Sequence, residues 1–261
     1  MIFRIDTINT MNPELRRKML LLRKRVFCDQ LHWNIPHCNG MEADIYDFTD
    51  SYYVNWLSED KNMLIGSVRL MSMAQCNLLN TVFINSVEKQ RQPELQKDRR
   101  VWEGTRLCID EQHFQDRDRS KALIQLLYGL FQSSRQMGIE TLICNCNSLM
   151  YRKYRQLGFH YTYMGATKEF EHGQVHCLAF DMSTENLDIL QSLISDKLDR
   201  LHAPEVQTHT LSATNISIEG SAANLARKFN GLDHGVDEYN RHRTHNVVRT
   251  QMRWDGNDIP A

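Results

Sequence analysis

The sequence predicts an α/β fold, a three-layer sandwich with a mixed central sheet, on three observations. Short apolar segments bounded by turn residues recur at 51–57, 63–72, 101–109, 141–146, 159–164 and 175–182, the lengths and edges of strands. One long helical pattern, 119–137, carries Leu123, Leu127, Leu130, Phe131 and Met137 and is apolar nearly all round, so it must be buried against a sheet. The strands come both as hairpins and as a strand–helix–strand unit, a combination that mixes antiparallel with parallel neighbours.

Taken in order, residues 2–5 read as a short strand. Asn12 followed by Pro13 marks a helix start, a capping side chain before the residue best suited to the first helical position. Leu15, Met19, Leu22 and Val26 step by four, three and four, one buried stripe of a helix running to about Leu31. Arg23 and Phe27 lie four apart on a neighbouring face. From Trp33 to Asp50 the chain is irregular, with Pro36, Asn39, Gly40 and the acids Asp44, Asp47 and Asp50. Segments 51–57 and 63–72 form an antiparallel hairpin, and 85–100 is a charged loop or short helix. Strand 101–109 leads into the long helix, with Ser120 as a candidate cap. Strand 141–146 follows, then a short helix, 148–157, stopped by Gly158. A closing antiparallel pair comes next, and a further helix over 186–202. This order predicts a GNAT-like (acyl-CoA N-acyltransferase-like) sandwich over 1–200. Residues 201–261 form a polar C-terminal extension whose composition favours partial disorder. No repeat is present.

Composition narrows the function. Of 261 residues 41% are hydrophobic and 24% charged, ordinary for a globular protein. No apolar run approaches the ~20 residues of a membrane span, and the N-terminus lacks a secretory pattern, so a cytoplasmic location is expected. A formal net charge of −1 gives no overall basic field for nucleic acid. The seven cysteines are irregularly spaced and read as reduced core thiols.

Four segments carry the chemistry. In the first, Arg23 is followed by Phe27 and Trp33. Met41-Glu42-Ala43-Asp44-Ile45-Tyr46-Asp47 comes next, then Ser67-Val68-Arg69-Leu70, then Trp102-Glu103-Gly104-Thr105-Arg106. In this order and spacing they resemble the LuxI-type autoinducer synthases, whose pattern is met here at Arg23, Phe27, Trp33, Asp44, Asp47, Arg69, Glu103 and Arg106. The resemblance covers about residues 2–185. It implies an acyltransferase, an acyl-homoserine lactone synthase making a quorum-sensing signal from an acyl donor and S-adenosylmethionine. Taken singly, each residue has a plainer reading. Glu103 and Arg106 would be a structural ion pair, Arg23 a solvated helix residue, Asp44 and Asp47 turn formers, and Trp33 a core plug.

The residue types suit the implied substrate. S-adenosylmethionine presents an ammonium, a sulfonium, a carboxylate and an adenine ring. It needs anions (Asp44, Asp47), guanidinium forks (Arg23, Arg69) and flat aromatic surface (Phe27, Trp33, with Phe83). The resemblance assigns the substrate cleft to these residues. It makes Glu103 the base that takes the proton of the attacking amine, with Arg69, Arg106 and Asp47 completing the catalytic set. S-adenosylmethionine is a substrate, and no cofactor is expected.

The glycine-rich pyrophosphate turn of coenzyme A-dependent acetyltransferases has no glycine in its counterpart here, Asp116 to Ala122. That favours acyl carrier protein as donor. Arg152, Lys153 and Arg155, with Arg117, Arg119 and Lys121, are a candidate docking patch for this acidic partner. Leu107, Ile109, Leu123, Leu126, Ile143, Cys144, Met150 and Tyr154 are candidate walls of an acyl pocket. Cys144, a poor hydrogen-bond donor, predicts a weak preference for 3-oxo chains. His234, His242 and His245 in the extension do not make a convincing metal set. Two other classes compete: a non-catalytic sensor, against which Glu103 and Arg106 argue, and a general coenzyme A-dependent N-acetyltransferase, against which the missing glycine turn argues.

Overall fold

The computed structural model describes residues 2–95, 99–114, 119–170, 173–197 and 205–208. The extension's remaining residues, including His234, His242 and His245, lie outside them, as does Arg117. The described elements begin with β1 (Ile2–Thr7), α1 (Pro13–Lys24) and a π-helical turn, Arg25–Gln30. A small ribbon of β2 (His37–Cys38) and β3 (Met41–Glu42) follows, then the hairpin of β4 (Tyr52–Leu57) and β5 (Leu64–Ser72). Short helices α2 (Leu78–Thr81) and α3 (Gln92–Leu95) lead to β6 (Val101–Ile109), α4 (Arg119–Gln136), β7 (Thr141–Asn147) and α5 (Ser148–Gln156). The closing pair is β8 (Tyr161–Phe170) and β9 (Gly173–Asp181), followed by α6 (Thr184–Lys197) and β10 (Glu205–Thr208).

The main sheet has the order β10-β1-β4-β5-β6-β7-β9-β8. Among the described residues only β1–β10 and β6–β7 are parallel pairs, so the sheet is mixed, as the strand–helix–strand unit around α4 requires. Strand β10 was not expected. It falls past the residue-200 boundary read from composition and adds to the β1 edge.

On one face α4 and α6 bury a core that includes Phe3, Trp56, Leu126, Phe131, Phe180 and Leu190. Gly129 lets α4 approach closely, since a Cβ there would meet the Phe3 ring at 2.2 Å. On the opposite face α1 packs Leu15, Met19 and Leu22 against Tyr53, Leu57 and Cys108. The α1 start is as expected: Asn12 Oδ1 accepts from the Leu15 N–H at 2.7 Å, and Pro13 opens the helix. Among the described residues no helix is long and apolar enough to cross a membrane.

Three irregularities interrupt the regular elements. The π turn ends with the Leu31 N–H reaching back five residues to Val26 O at 2.9 Å, a wide turn of the kind found at functional sites. His32, at φ 52°, then reverses the chain, and Trp33 N–H closes on Phe27 O at 2.8 Å. On β6 the register with β5 slips between Ser67 and Arg69. Arg106 takes up the slack at φ 53°, a bulge in which one strand carries an extra residue. Finally, β6 and β7 pair only from Val101–Thr141 to Glu103–Ile143, and beyond that point they part.

Candidate active site

The bulge decides which β6 side chains share a face. Side chains alternate along a regular strand, which would put Arg106 opposite Glu103 and Thr105. The extra residue turns Arg106 to their side, toward α1 and the loop after β3. There three guanidiniums meet three carboxylates. Arg23 Nε contacts Glu42 Oε2 at 2.5 Å and its Nη1 contacts Asp47 Oδ1 at 2.6 Å. Arg69 forks onto Asp44, Nη1 to Oδ1 at 2.5 Å and Nη2 to Oδ2 at 3.0 Å, and reaches Asp47 at 2.9 Å. Arg106 Nη2 lies 3.0 Å from Asp44 Oδ2 and 3.2 Å from Glu42 Oε1. The Tyr53 hydroxyl donates to Asp47 Oδ1 at 2.6 Å, and the Thr105 hydroxyl accepts from Arg69 Nε at 3.1 Å.

The loop supplies its acids by local chemistry. Asp44 caps the 3₁₀ turn Ile45–Phe48 by accepting from the Tyr46 N–H at 2.9 Å, while Asp47 Oδ2 accepts from the Asp44 N–H at 2.7 Å. This reciprocal cap holds both carboxylates toward the sheet. Burial would raise the Asp47 pKa, but the Arg23 and Arg69 guanidiniums overcome it and hold the carboxyl well below its ordinary 3.8. Glu42 is likewise lowered, against burial, by Arg106 and Arg23. A buried network of this kind is secure only while complete, because an orphaned charge costs about 3–5 kcal/mol.

Glu103 stands at the last paired position before β6 and β7 separate. It is fully buried. Burial pushes its carboxyl up to about 7, against the Leu79 N–H and the Arg69 guanidinium. A carboxylate titrating near neutrality is poised for proton transfer.

Where β6 and β7 part, a cavity of about 630 Å³ opens through the sheet. Its α1-side portion is bordered by Phe27, Trp33, Thr105 and Arg106, its α4-side portion by Leu107, Leu123, Phe131, Cys144, Met150 and Tyr154, among others. The Phe27 and Trp33 rings stack at 4.8 Å, with Arg106 over Phe27 at 5.5 Å. A charged and aromatic chamber on one face thus communicates with an apolar one on the other. Among the described residues no group of His, Cys, Asp and Glu could hold a metal ion.

Arg23, Asp44, Asp47, Arg69 and Arg106 therefore come together in one ion-paired cluster; of the eight expected residues Phe27, Trp33 and Arg106 line the cavity, while Arg23, Asp44, Asp47, Arg69 and Glu103 are buried behind its wall. Phe83 does not line the cavity; it packs against the clusters of Met73, Leu79 and Ile143 and of Tyr46, Met71 and Leu78. Of the expected acyl wall, Leu107, Ile109, Leu123, Cys144, Met150 and Tyr154 line the cavity, and Leu126 and Ile143 do not. Leu126 is pressed against Gly66 of β5. Ile143, beside Cys144 on one strand, necessarily points to the other face. In the expected docking patch Arg152 and Arg155 are exposed, Lys153 lines the cavity, and Arg119 at its rim pairs with Glu111 at 3.2 Å. Sequence reasoning left out Glu42, Tyr53 and Thr105. Glu42 opens its motif and Thr105 sits inside one, so both had a signal, whereas Tyr53 reads only as a strand residue.

The autoinducer synthase family model matches residues 7–190. An acyl-homoserine-lactone synthase of Aeromonas salmonicida is 29% identical over 164 residues, 62% of this chain and 77% of its own. One from Rhizobium etli is 26% identical over 184 residues, 70% and 84% of the two chains. Two solved structures share the fold. TofI, in a ternary complex with an inhibitor and MTA, superposes with a TM-score of 0.60 at 23% identity, covering 73% of this chain and 97% of that one. BjaI, a CoA-dependent acyl-homoserine lactone synthase with MTA, gives 0.66 at 18% identity, covering 86% and 98%. With a GNAT-like sandwich and Glu103 at the parting of its strands, the chain belongs to the autoinducer synthase family, the acyltransferases known as acyl-homoserine-lactone synthases.

Proposed function

We propose that this enzyme transfers an acyl group from acyl-[acyl carrier protein] to the amine of S-adenosylmethionine and lactonises the product, releasing methylthioadenosine. The observation that carries this reading is the cavity running through the sheet at the β6–β7 gap. It offers Phe27, Trp33 and Arg106 to a sulfonium amino acid and an apolar wall to a fatty chain, which would bring the two substrates together at the gap beside Glu103. TofI was solved with MTA, and BjaI with SAM and isopentyl-CoA, ligands that suit these two chambers.

The chemistry is two displacements. The substrate ammonium gives a proton to Glu103, directly or through a water, and the freed nitrogen attacks the thioester carbon. The C–S bond breaks, the thiolate leaves with its electron pair, and it takes up the second proton that the nitrogen sheds on becoming an amide. The substrate's carboxylate oxygen then attacks the carbon beside the sulfonium. That C–S bond breaks in turn, its electrons neutralise the sulfur, and methylthioadenosine departs. The second step needs chiefly a folded substrate, because the sulfonium is already a good leaving group.

The carrier protein as donor is supported by the exposed Arg152 and Arg155 beside Lys153 at the cavity, since carrier proteins are acidic. Purified enzyme supplied with S-adenosylmethionine and either acyl carrier thioester or acyl-coenzyme A tests both parts. Lactone and methylthioadenosine should appear in equal amounts, faster with the carrier. Free thiol without lactone would refute the substrate assignment, and a preference for coenzyme A would refute the donor.

A further inference from the structure

The three guanidiniums of the cluster are not equivalent. Arg23 and Arg69 are at most 1% exposed, and the shortest contact each makes with an acid is 2.5 Å. Arg106 is 9% exposed, and its contacts with Glu42 and Asp44 are 3.0–3.4 Å. Of the three, it alone borders the cavity. Its backbone sits at φ 53° without being glycine, the kind of strain found where a residue is held for function. Its guanidinium rests between two carboxylates and the face of Phe27 at 5.5 Å. Carboxylates beside an aromatic face form a general cation subsite, and at present the protein fills it with its own side chain.

We propose that Arg106 is a resident counter-ion, occupying the subsite of the substrate's cationic centre and displaced from it when the substrate enters. This rests on S-adenosylmethionine being the substrate. Glu42 and Asp44 remain anchored during the exchange, since Arg23 holds the first and Arg69 the second. The cluster keeps its charge balance because one cation replaces another, and the released guanidinium is left beside the cavity. Arg106 is in this sense a positioning residue, and its loss should separate binding from turnover.

Calorimetric titration of wild type and Arg106→Gln with S-adenosylmethionine and with uncharged methylthioadenosine tests the idea. The variant should bind S-adenosylmethionine about tenfold more tightly, an order of magnitude corresponding to one ion or cation–π contact no longer competed for. It should bind methylthioadenosine within about twofold of wild type and turn over more slowly, with Arg106→Lys nearer wild type in both. Unchanged or weaker S-adenosylmethionine binding by the Gln variant would overturn the proposal while leaving the substrate assignment standing. Failure of the wild type to bind S-adenosylmethionine would remove that assignment first. If the Gln variant does not fold, a crystal structure of wild type with S-adenosylmethionine decides. The guanidinium should have left Asp44 and Glu42, and retention of both contacts would overturn the proposal.

Discussion

The Leu79 N–H donates to Glu103 Oε2 at 3.0 Å, while Glu103 Oε1 is buried with no hydrogen-bond partner. One oxygen is thus fixed and the other left unsatisfied, at the point where the sheet opens. An orphaned carboxylate oxygen is costly to bury, and it is the atom best able to take a proton.

With Glu103 titrating at about 7 and acting as the base, kcat/KM should fall about tenfold per unit below that pH and level off above it. Glu103→Gln should lower kcat by at least about a hundredfold while S-adenosylmethionine binding survives. A flat profile between pH 5 and 8 would count against the assignment.

The same residue predicts a stability gain on losing function. Its folded pKa is raised from 4.5 to about 7, so its contribution to stability is intact below pH 4.5 and lost as pH rises through 7. The Gln side chain does not ionise. Relative to wild type, Glu103→Gln should therefore gain stability across that window, levelling at on the order of 3 kcal/mol. Urea unfolding at pH 5 and pH 8 reads the difference.

Asp47 has the opposite sign. Its folded pKa lies well below 3.8, against burial, because Arg23 and Arg69 face it. Its stabilisation is present above the ordinary carboxylate range and lost as pH falls toward the folded value. Asp47→Asn should cost about 3–5 kcal/mol at pH 7 by stranding charge. Tyr53→Phe, which removes one bond to that carboxylate, should cost about 1.5–3 kcal/mol. Thermal melts of both variants check the order.

Donor docking is tested by reversing charge at Arg152, Lys153 and Arg155 together. KM for the acyl carrier thioester should rise roughly tenfold or more through lost steering, with KM for S-adenosylmethionine unchanged. An unaltered carrier KM would remove this patch from the docking surface.

Cys144 borders the apolar chamber, and its thiol pKa is raised by its hydrogen bond to Cys146 and by burial, so it stays protonated and donates weakly. Cys144→Thr should increase the share of 3-oxo lactones, read by mass spectrometry of products from mixed acyl donors. A wild-type product pool already dominated by 3-oxo chains would contradict this.

The strands and α4 were legible because apolar periodicity is local, and so was the capped start of α1 at Asn12. The charged set was legible because motif spacing names residues without needing their geometry. Three things were not local. The bulge at Arg106 has no glycine to announce it, yet it decides that Arg106 joins Glu103. The parting of β6 from β7 is a property of pairing between distant segments, and it makes the cavity. That Leu126 faces β5 while Leu123 faces the cavity depends on how α4 is rotated on the sheet. Ile143 and Cys144 are neighbours on one strand, whose alternation forbids them from sharing a face, so only one of the two can line the cavity.

The central claim is that amine and acyl chain approach from opposite faces of one sheet and meet beside Glu103. A crystal structure with S-adenosylmethionine and a non-reactive acyl carrier thioester analogue measures this directly. The amine nitrogen should lie at the β6–β7 gap, about 3 Å from the Glu103 carboxylate or one water away, with the acyl chain running past Cys144 toward Phe131. An amine outside the Phe27–Trp33 stack, or an acyl chain on the α1 side of the sheet, would contradict it.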